Sequence, residues 1–432
     1  MERKIINELS KWRIDKYKKP LLLYGVAGCG KTYSVLEFGK EEYKNVVYFD
    51  CSNNLELNYV FDKNTTIDKL IRGISALSLE TIFKEDSLII LDNISDKIFS
   101  AVKKLFVGQI DYHLIMITNS QDMLKKVKTD EINLKKMSLV NFAEYLKYLG
   151  KDQMVDFIED SFKTDKQMPF HNLAMELFND YVLTGGYPDA IVSFNDNKDY
   201  NLLSTIHERN IKLIKNKLFN INNLIDIKRC NEIYEGMAMQ LLKDNKKFQY
   251  GLLKKGSRAK DYESALNFME QNNLVVKSCR VKELTSPLSK IKEEESFKLY
   301  FNDAGLLYKK MNVGANRLLT NDKLLEVLYE NSIVVALSQN GFNIYHYHSD
   351  GKAELDIVIQ TRTGKILPIE ILNSSYSTKS KSLSLALSKY NLTNAIRFTD
   401  DNFKNKKGIK YIPYYAAFCI TESMWLLWRK LY

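Results

Sequence analysis

The first 120 positions carry a repeating pattern of apolar runs. Pro20–Gly25, Asn45–Asp50, Ser87–Asp92 and His113–Thr118 are short and apolar almost throughout. Strands buried on both faces have that pattern. Between them, over Thr32–Lys44 and Thr66–Phe83, apolar positions recur at helical spacing. The alternation predicts βαβ units and a parallel sheet.

The rest of the chain reads differently. Residues 150–230 are helical, broken once at Gly185, Gly186 and Pro188. Ile233–Lys243 and Tyr262–Asn272 are two further helices, followed by strands at Leu274–Val281 and Glu295–Phe301. Two helices and a β-ribbon in that order suggest a winged helix-turn-helix. From about Asn312 a last segment begins. It offers a helix at Leu324–Leu337 and strands at Phe342–His348, Glu354–Ile359 and Lys365–Ile371. The last two strands are joined by a turn at Thr361–Gly364. Tyr414–Trp428 reads as a buried strand followed by a helix.

Composition narrows the class. A chain of 432 residues needs more than one core, and 45% apolar with 27% charged residues is an ordinary globular balance. The five cysteines, at 29, 51, 230, 279 and 419, form no C-x-x-C pair. Neither a zinc site nor a disulfide framework is expected, which suits a cytoplasmic location. No signal peptide and no membrane span are expected. The formal charge of +10 is compatible with nucleic acid.

The first apolar run leads directly into Gly25, Val26, Ala27, Gly28, Cys29, Gly30, Lys31 and Thr32. This fits G-x-x-x-x-G-K-[ST] in the strand–loop–helix setting the motif requires. Its glycines let successive N–H groups face an anion, and the following helix adds its positive end. Lys31 is expected on the β- and γ-phosphates, and the Thr32 hydroxyl on Mg²⁺. ATP with Mg²⁺ is the expected ligand. Asp92, at the end of an apolar strand, is the expected second metal-side group. Asn93 stands where many such ATPases carry a glutamate. An amide orients water but takes no proton, and loss of a positioned base costs about 10²–10⁴ in rate. Asn119 reads as a γ-phosphate sensor or as a plain loop cap. Asp96 is a candidate substitute base, and Arg209 and Arg229 are candidate arginine fingers.

In the last segment, Asp356 and Glu370 fall on adjacent strands of a hairpin. With Glu330 from the preceding helix they make a second candidate Mg²⁺ site by oxygen ligation. His346 and His348 read as a half-exposed strand surface or as metal ligands. Lys246, Lys247, Lys254, Lys255, Arg258 and Lys260 cluster in the winged-helix segment. They suit phosphate contacts on DNA, or a solvated face beside a protein partner.

Several segments together resemble a family of bacterial and archaeal AAA-like P-loop ATPases with a C-terminal domain related to PD-(D/E)XK nucleases. They are Leu36–Asp50, Met137–Leu146, Leu183–Ala190 and Phe297–Leu307, in that order after the phosphate loop. The resemblance covers nearly the whole chain. It implies an α/β ATPase core over residues 1–150, a helical lid over 151–230, a winged helix over 231–311 and a nuclease-like α/β domain over 312–432. Two departures stand out. Asn93 replaces the family's usual glutamate. Leu372 stands where the nuclease core needs a lysine, with Lys379 and Lys381 further on, so a degenerate nuclease fold is expected.

The resulting expectation is an ATP-binding AAA-like ATPase that acts as a nucleotide-dependent switch with slow hydrolysis, associated with DNA. The alternatives are a non-catalytic protein stabilised by ATP and an ATP-gated, Mg²⁺-dependent nuclease.

Overall fold

The computed structural model describes residues 1–52, 54–62, 65–108, 111–218, 224–349, 351, 353–372 and 381–423. It divides into two units, Met1–Leu139 and Val140–Tyr432.

The first unit is built on a five-stranded sheet of β1 (Leu21–Tyr24), β2 (Asn45–Asp50), β3 (Ser87–Asp92), β4 (His113–Thr118) and β5 (Asn133–Lys136). The order is β2-β3-β4-β1-β5, and every pairing is parallel. Strands β3 and β4 are buried at every residue, as their unbroken apolar runs require. The pattern did not announce β5. It is a half-buried edge strand ending in Lys135 and Lys136, and charge there blunts further pairing.

Two helices of this unit, Lys31–Glu42 and Ile67–Ser78, lie where the sequence placed them. Ile67–Ser78 starts at Thr66, whose side chain accepts from the Lys69 N–H, and buries Leu70, Ile71 and Ile74. It stops before the expected Phe83 because Leu79 turns left-handed, at φ 59°. Asp96–Phe106 is capped by Ser95 and buries Ile98, Phe99, Val102 and Phe106. These side chains join Leu22, Ile89, Leu91, Leu114 and Met116 in one core. Parallel pairing brings the carboxyl ends of the strands to one edge of the sheet, where Tyr24, Asp50, Asp92 and Thr118 end their strands.

The second unit opens with helices Phe142–Tyr148, Asp152–Thr164, His171–Thr184, Pro188–Asn197, Tyr200–Leu218 and Leu224–Leu241. Helix Ala259–Gln271 leads into an eight-stranded sheet. Its strands are β6 (Val275–Val281), β7 (Lys292–Phe301), β8 (Tyr345–His348), β9 (Glu354–Gln360), β10 (Ile366–Ile371), β11 (Ala395–Thr399), β12 (Lys404–Lys406) and β13 (Ile409–Pro413). The order is β12-β13-β11-β10-β9-β8-β6-β7. The hairpin β6–β7 is antiparallel, and β6 also pairs in parallel with β8. One sheet therefore draws strands from both sides of residue 312.

Two of the sequence segments meet in this unit. Asp303 Oδ2 accepts the Gly186 N–H at 2.6 Å, and its Oδ1 caps the next helix through the Leu306 N–H at 3.0 Å. A Cβ on Gly185 would lie 2.2 Å from Asp303 Oδ1, and Gly185 has φ +68°. Glycine is the residue that fits there.

The tail departs from expectation. Tyr414–Cys419 is a short, tight helix and not a strand, with Tyr414 stacked on Tyr329 at 4.6 Å between ring centroids. The strand lies just before it, as β13. The expected helix beyond Ser423 lies outside the described residues. Among the described residues, no helix is long and apolar enough to cross a membrane.

Candidate nucleotide-binding site

The loop from Gly25 to Thr32 bridges β1 and the helix Lys31–Glu42. Gly28 and Gly30 take φ of +79° and +95°, open to glycine at little cost. Gly25 is required for another reason. A Cβ there would lie 2.1 Å from the Met137 carbonyl oxygen, so the loop floor and the chain after β5 touch backbone to backbone. The buried Arg3 ties the loop to the chain after β5. Its guanidinium donates to the carbonyls of Cys29 at 2.7 Å and Ser138 at 2.6 Å. Cys29 is itself buried and acts as filler.

Lys31 is 5% exposed, and its Nζ donates to the carbonyls of Gly25 at 3.0 Å and Val26 at 2.9 Å, and to Asn119 Oδ1 at 2.7 Å. Burial lowers its pKa, while Cys29 and Asp92 pull in the opposite direction. The Thr32 hydroxyl donates to Asp92 Oδ2 at 2.5 Å. A hydroxyl and a carboxylate that close fit a shared hard cation, so these residues suit Mg²⁺. Asn93 has φ +52°. Its backbone N–H donates to Asp92 Oδ1 at 2.8 Å and its side-chain amide to Asp50 Oδ1 at 3.1 Å. Asn119 Nδ2 reaches Asn93 Oδ1 at 3.5 Å. The structure thus brings together Lys31, Thr32, Asp92, Asn93 and Asn119.

Asp50 and Tyr48 belong to this edge and had not been singled out. Asp50 sits directly opposite Asp92 in the β2–β3 register, and the Tyr48 hydroxyl donates to Asp92 Oδ2 at 3.4 Å. Burial, then the Asp92 and Asp50 carboxylates, push the Tyr48 hydroxyl up to about 12. Burial works to raise Asp50, yet the Ser52 N–H and the Asn93 amide hold it below the usual carboxylate range. The signal in the sequence was the same one that marked Asp92, an aspartate ending a strand of the parallel sheet.

The three carboxylates of the second candidate Mg²⁺ site are each engaged by other protein groups. Among the described residues, no group of three or more His, Cys, Asp or Glu is arranged to hold a metal ion. Glu330 is buried, pairs with Lys246 and accepts the Tyr300 hydroxyl at 2.5 Å. Burial would raise its carboxyl, but Lys246 and Lys298 carry it well below the usual range. Glu370 is 6% exposed and accepts from Arg397 Nε at 2.7 Å, while Arg397 also donates to the Tyr411 hydroxyl at 2.8 Å. Asp356 accepts the Ile371 N–H at 2.9 Å, and burial followed by nearby Glu330 raises its pKa. Protein cations already occupy Glu330 and Glu370. Lys381 is exposed at the start of a helix, and Lys379 lies outside the described residues. His346 is buried, with Nδ1 3.1 Å from the Ser278 carbonyl, and burial pushes it down to about 3. His348 is exposed. Arg209 and Arg229, the candidate fingers, are ion-paired with Asp189 and Asp226.

A family model described as an AAA domain matches residues 17–146, which contain the whole phosphate loop, Asp92 and Asn119. Residues 17–146 are an AAA-like P-loop ATPase domain. Two further models match beyond the AAA domain, and both are described as domains of unknown function. DUF8612 covers residues 175–317 and DUF4143 covers 326–417. No curated protein matches the chain. Among solved structures, a Walker-type ATPase of Pyrococcus abyssi is similar over 72% of this chain and 95% of its own, at 12% identity and a TM-score of 0.39. The ORC1 protein of Aeropyrum pernix in complex with DNA is similar over 73% of this chain and 92% of its own, at 11% identity and a TM-score of 0.29.

Proposed function

We propose that the AAA domain binds ATP with Mg²⁺, hydrolyses it slowly and works as a nucleotide-dependent switch. The observation that carries this reading is the placement of Lys31, Thr32, Asp92 and Asn119 at one sheet edge, with an amide at position 93. Loop N–H groups and Lys31 bind the β- and γ-phosphates. Thr32 and Asp92 hold Mg²⁺, which neutralises charge on the phosphates when bound. Asn119 and Asn93 orient the attacking water. Slow turnover follows from the lack of a carboxylate at position 93. Single-turnover hydrolysis of Mg-ATP by the wild type and by Lys31→Ala tests the reading. Measurable wild-type turnover that Lys31→Ala abolishes is expected. Tight ATP binding by a wild type no faster than Lys31→Ala would leave a non-catalytic, ATP-stabilised protein.

A second reading concerns the segment 231–311, as a winged helix that binds duplex DNA. Exposed Lys247, Lys254, Lys255, Arg258 and Lys260 support it. Lys246 is withdrawn into its pair with Glu330. Helix Ala259–Gln271 exposes Glu263 and Glu270, so phosphate contacts would come mainly from the loop before it. Five phosphate contacts imply an affinity that falls roughly 10²–10³-fold between 50 and 200 mM salt. Fluorescence anisotropy on a duplex measures this, and no binding at low salt would remove DNA as a partner.

A further inference from the structure

The hydrogen bonds along the carboxyl edge of the first sheet run in one direction. Lys31 Nζ donates to Asn119 Oδ1 at 2.7 Å, Asn119 Nδ2 to Asn93 Oδ1 at 3.5 Å, and Asn93 Nδ2 to Asp50 Oδ1 at 3.1 Å. The chain starts on an ammonium and ends on a carboxylate. Both amides are oriented by those ends. Turning Asn93 over would set its carbonyl against the Asp50 carboxylate and its NH₂ against that of Asn119. The left-handed turn at Asn93 permits the arrangement, and asparagine tolerates that conformation better than most residues. Asp50 is itself anchored, since its Oδ1 also accepts the Ser52 N–H at 3.0 Å.

We propose that Asp50 is a positioning residue for ATP hydrolysis, acting through the Asn93 carboxamide to supply the negative charge that position 93 lacks. The proposal rests on ATP being hydrolysed at Lys31, Thr32 and Asp92. A carboxylate that accepts the amide N–H polarises the amide, so Asn93 Oδ1 becomes a stronger acceptor. It also fixes which end of the amide meets the water. Hydrolysis then needs orientation more than proton abstraction. The water oxygen bonds to the γ-phosphorus. The bond from that phosphorus to the bridging oxygen breaks, its electron pair leaves with ADP, and the water proton passes to the released phosphate.

The test uses the full chain and four proteins: wild type, Asp50→Asn, Asn93→Ala and the double variant. Asp50→Asn keeps an oxygen for the Ser52 N–H and removes the charge. Single-turnover rates, affinity for a non-hydrolysable ATP analogue and melting temperature are measured for each. Each single variant is expected to slow hydrolysis by about 10–100-fold, with analogue affinity within about 2-fold and an unchanged melting temperature. The double variant is expected to be no slower than Asn93→Ala, because Asp50 works through that side chain. Asp50→Asn at the wild-type rate, with Lys31→Ala inactive, would overturn this proposal alone. Rate losses that multiply in the double variant would also overturn it. A wild type no faster than Lys31→Ala would remove the hydrolysis reading and this proposal together.

Discussion

Thr32 Oγ1 donates to Asp92 Oδ2 at 2.5 Å, joining the first turn of a helix to the end of a strand 60 residues later. Thr32 and Asp92 would together hold Mg²⁺ bound with the nucleotide, which would offset phosphate charge. Asp92→Asn keeps an oxygen but loses the charge. ATP affinity in the presence of Mg²⁺ is expected to fall about 10–100-fold, or about 1.4–2.8 kcal/mol. In EDTA the wild type and the variant should bind alike. Isothermal titration calorimetry under both conditions checks this, and equal losses in EDTA would count against a metal role.

Gly25→Ala tests the loop floor. The new Cβ would sit 2.1 Å from a backbone oxygen of Met137, which cannot rotate away. The expected cost is about 1–3 kcal/mol, with weaker nucleotide binding as the loop shifts. Thermal unfolding would show a melting temperature lower by several degrees.

Asp303 makes stability depend on pH in an unusual direction. Burial raises its carboxyl to about 6, against the opposing N–H groups of Gly186, Leu306 and Gly305. A buried acid with a raised pKa binds its proton more tightly folded than unfolded. Its contribution is therefore full below about pH 4 and is lost as pH rises through about 6. The stability difference between wild type and Asp303→Ala should shrink by about 3 kcal/mol over that window. Urea unfolding of both proteins from pH 4 to 7 measures it. A gap that widens with pH would refute the assignment.

Glu370 and Arg397 are 6% and 4% exposed and paired at 2.7 Å. Glu370→Ala leaves a guanidinium buried without its partner, at a cost of about 3–5 kcal/mol. Replacing both residues with apolar ones of similar volume should cost much less. Denaturant melts of the two variants distinguish a structural pair from a catalytic one, since a catalytic carboxylate would be removed with little loss of stability.

Much of the first unit was legible along the chain. Strands buried on both faces need unbroken apolar runs, so β1, β3 and β4 announced themselves; β2, at the opposite edge from β5, is mostly half-buried but carries an apolar run at Val46–Phe49. The phosphate loop did as well, because the backbone needs glycine at fixed spacings between strand and helix. Asp92 was found by its position at a strand end. Edge strand β5 was not found, since an edge tolerates lysine and needs no apolar run. The surroundings of the carboxylates in the second candidate Mg²⁺ site were hidden for a related reason. Asp356 and Glu370 were correctly placed on a hairpin, but Arg397 and Lys246, which pair with Glu370 and Glu330, come from distant elements.

By itself the sequence determined that Gly25–Thr32 forms a phosphate loop and that position 93 carries an amide in place of an acid. Local spacing and residue type suffice for both. Only the tertiary structure decided what surrounds that amide. The order β2-β3-β4-β1-β5 sets Asp50 beside Asp92 and Asn93, and Asn119 between Asn93 and Lys31. Hydrogen bonds between side chains depend on which strands are neighbours and on their register, and neither is written in any one stretch of chain.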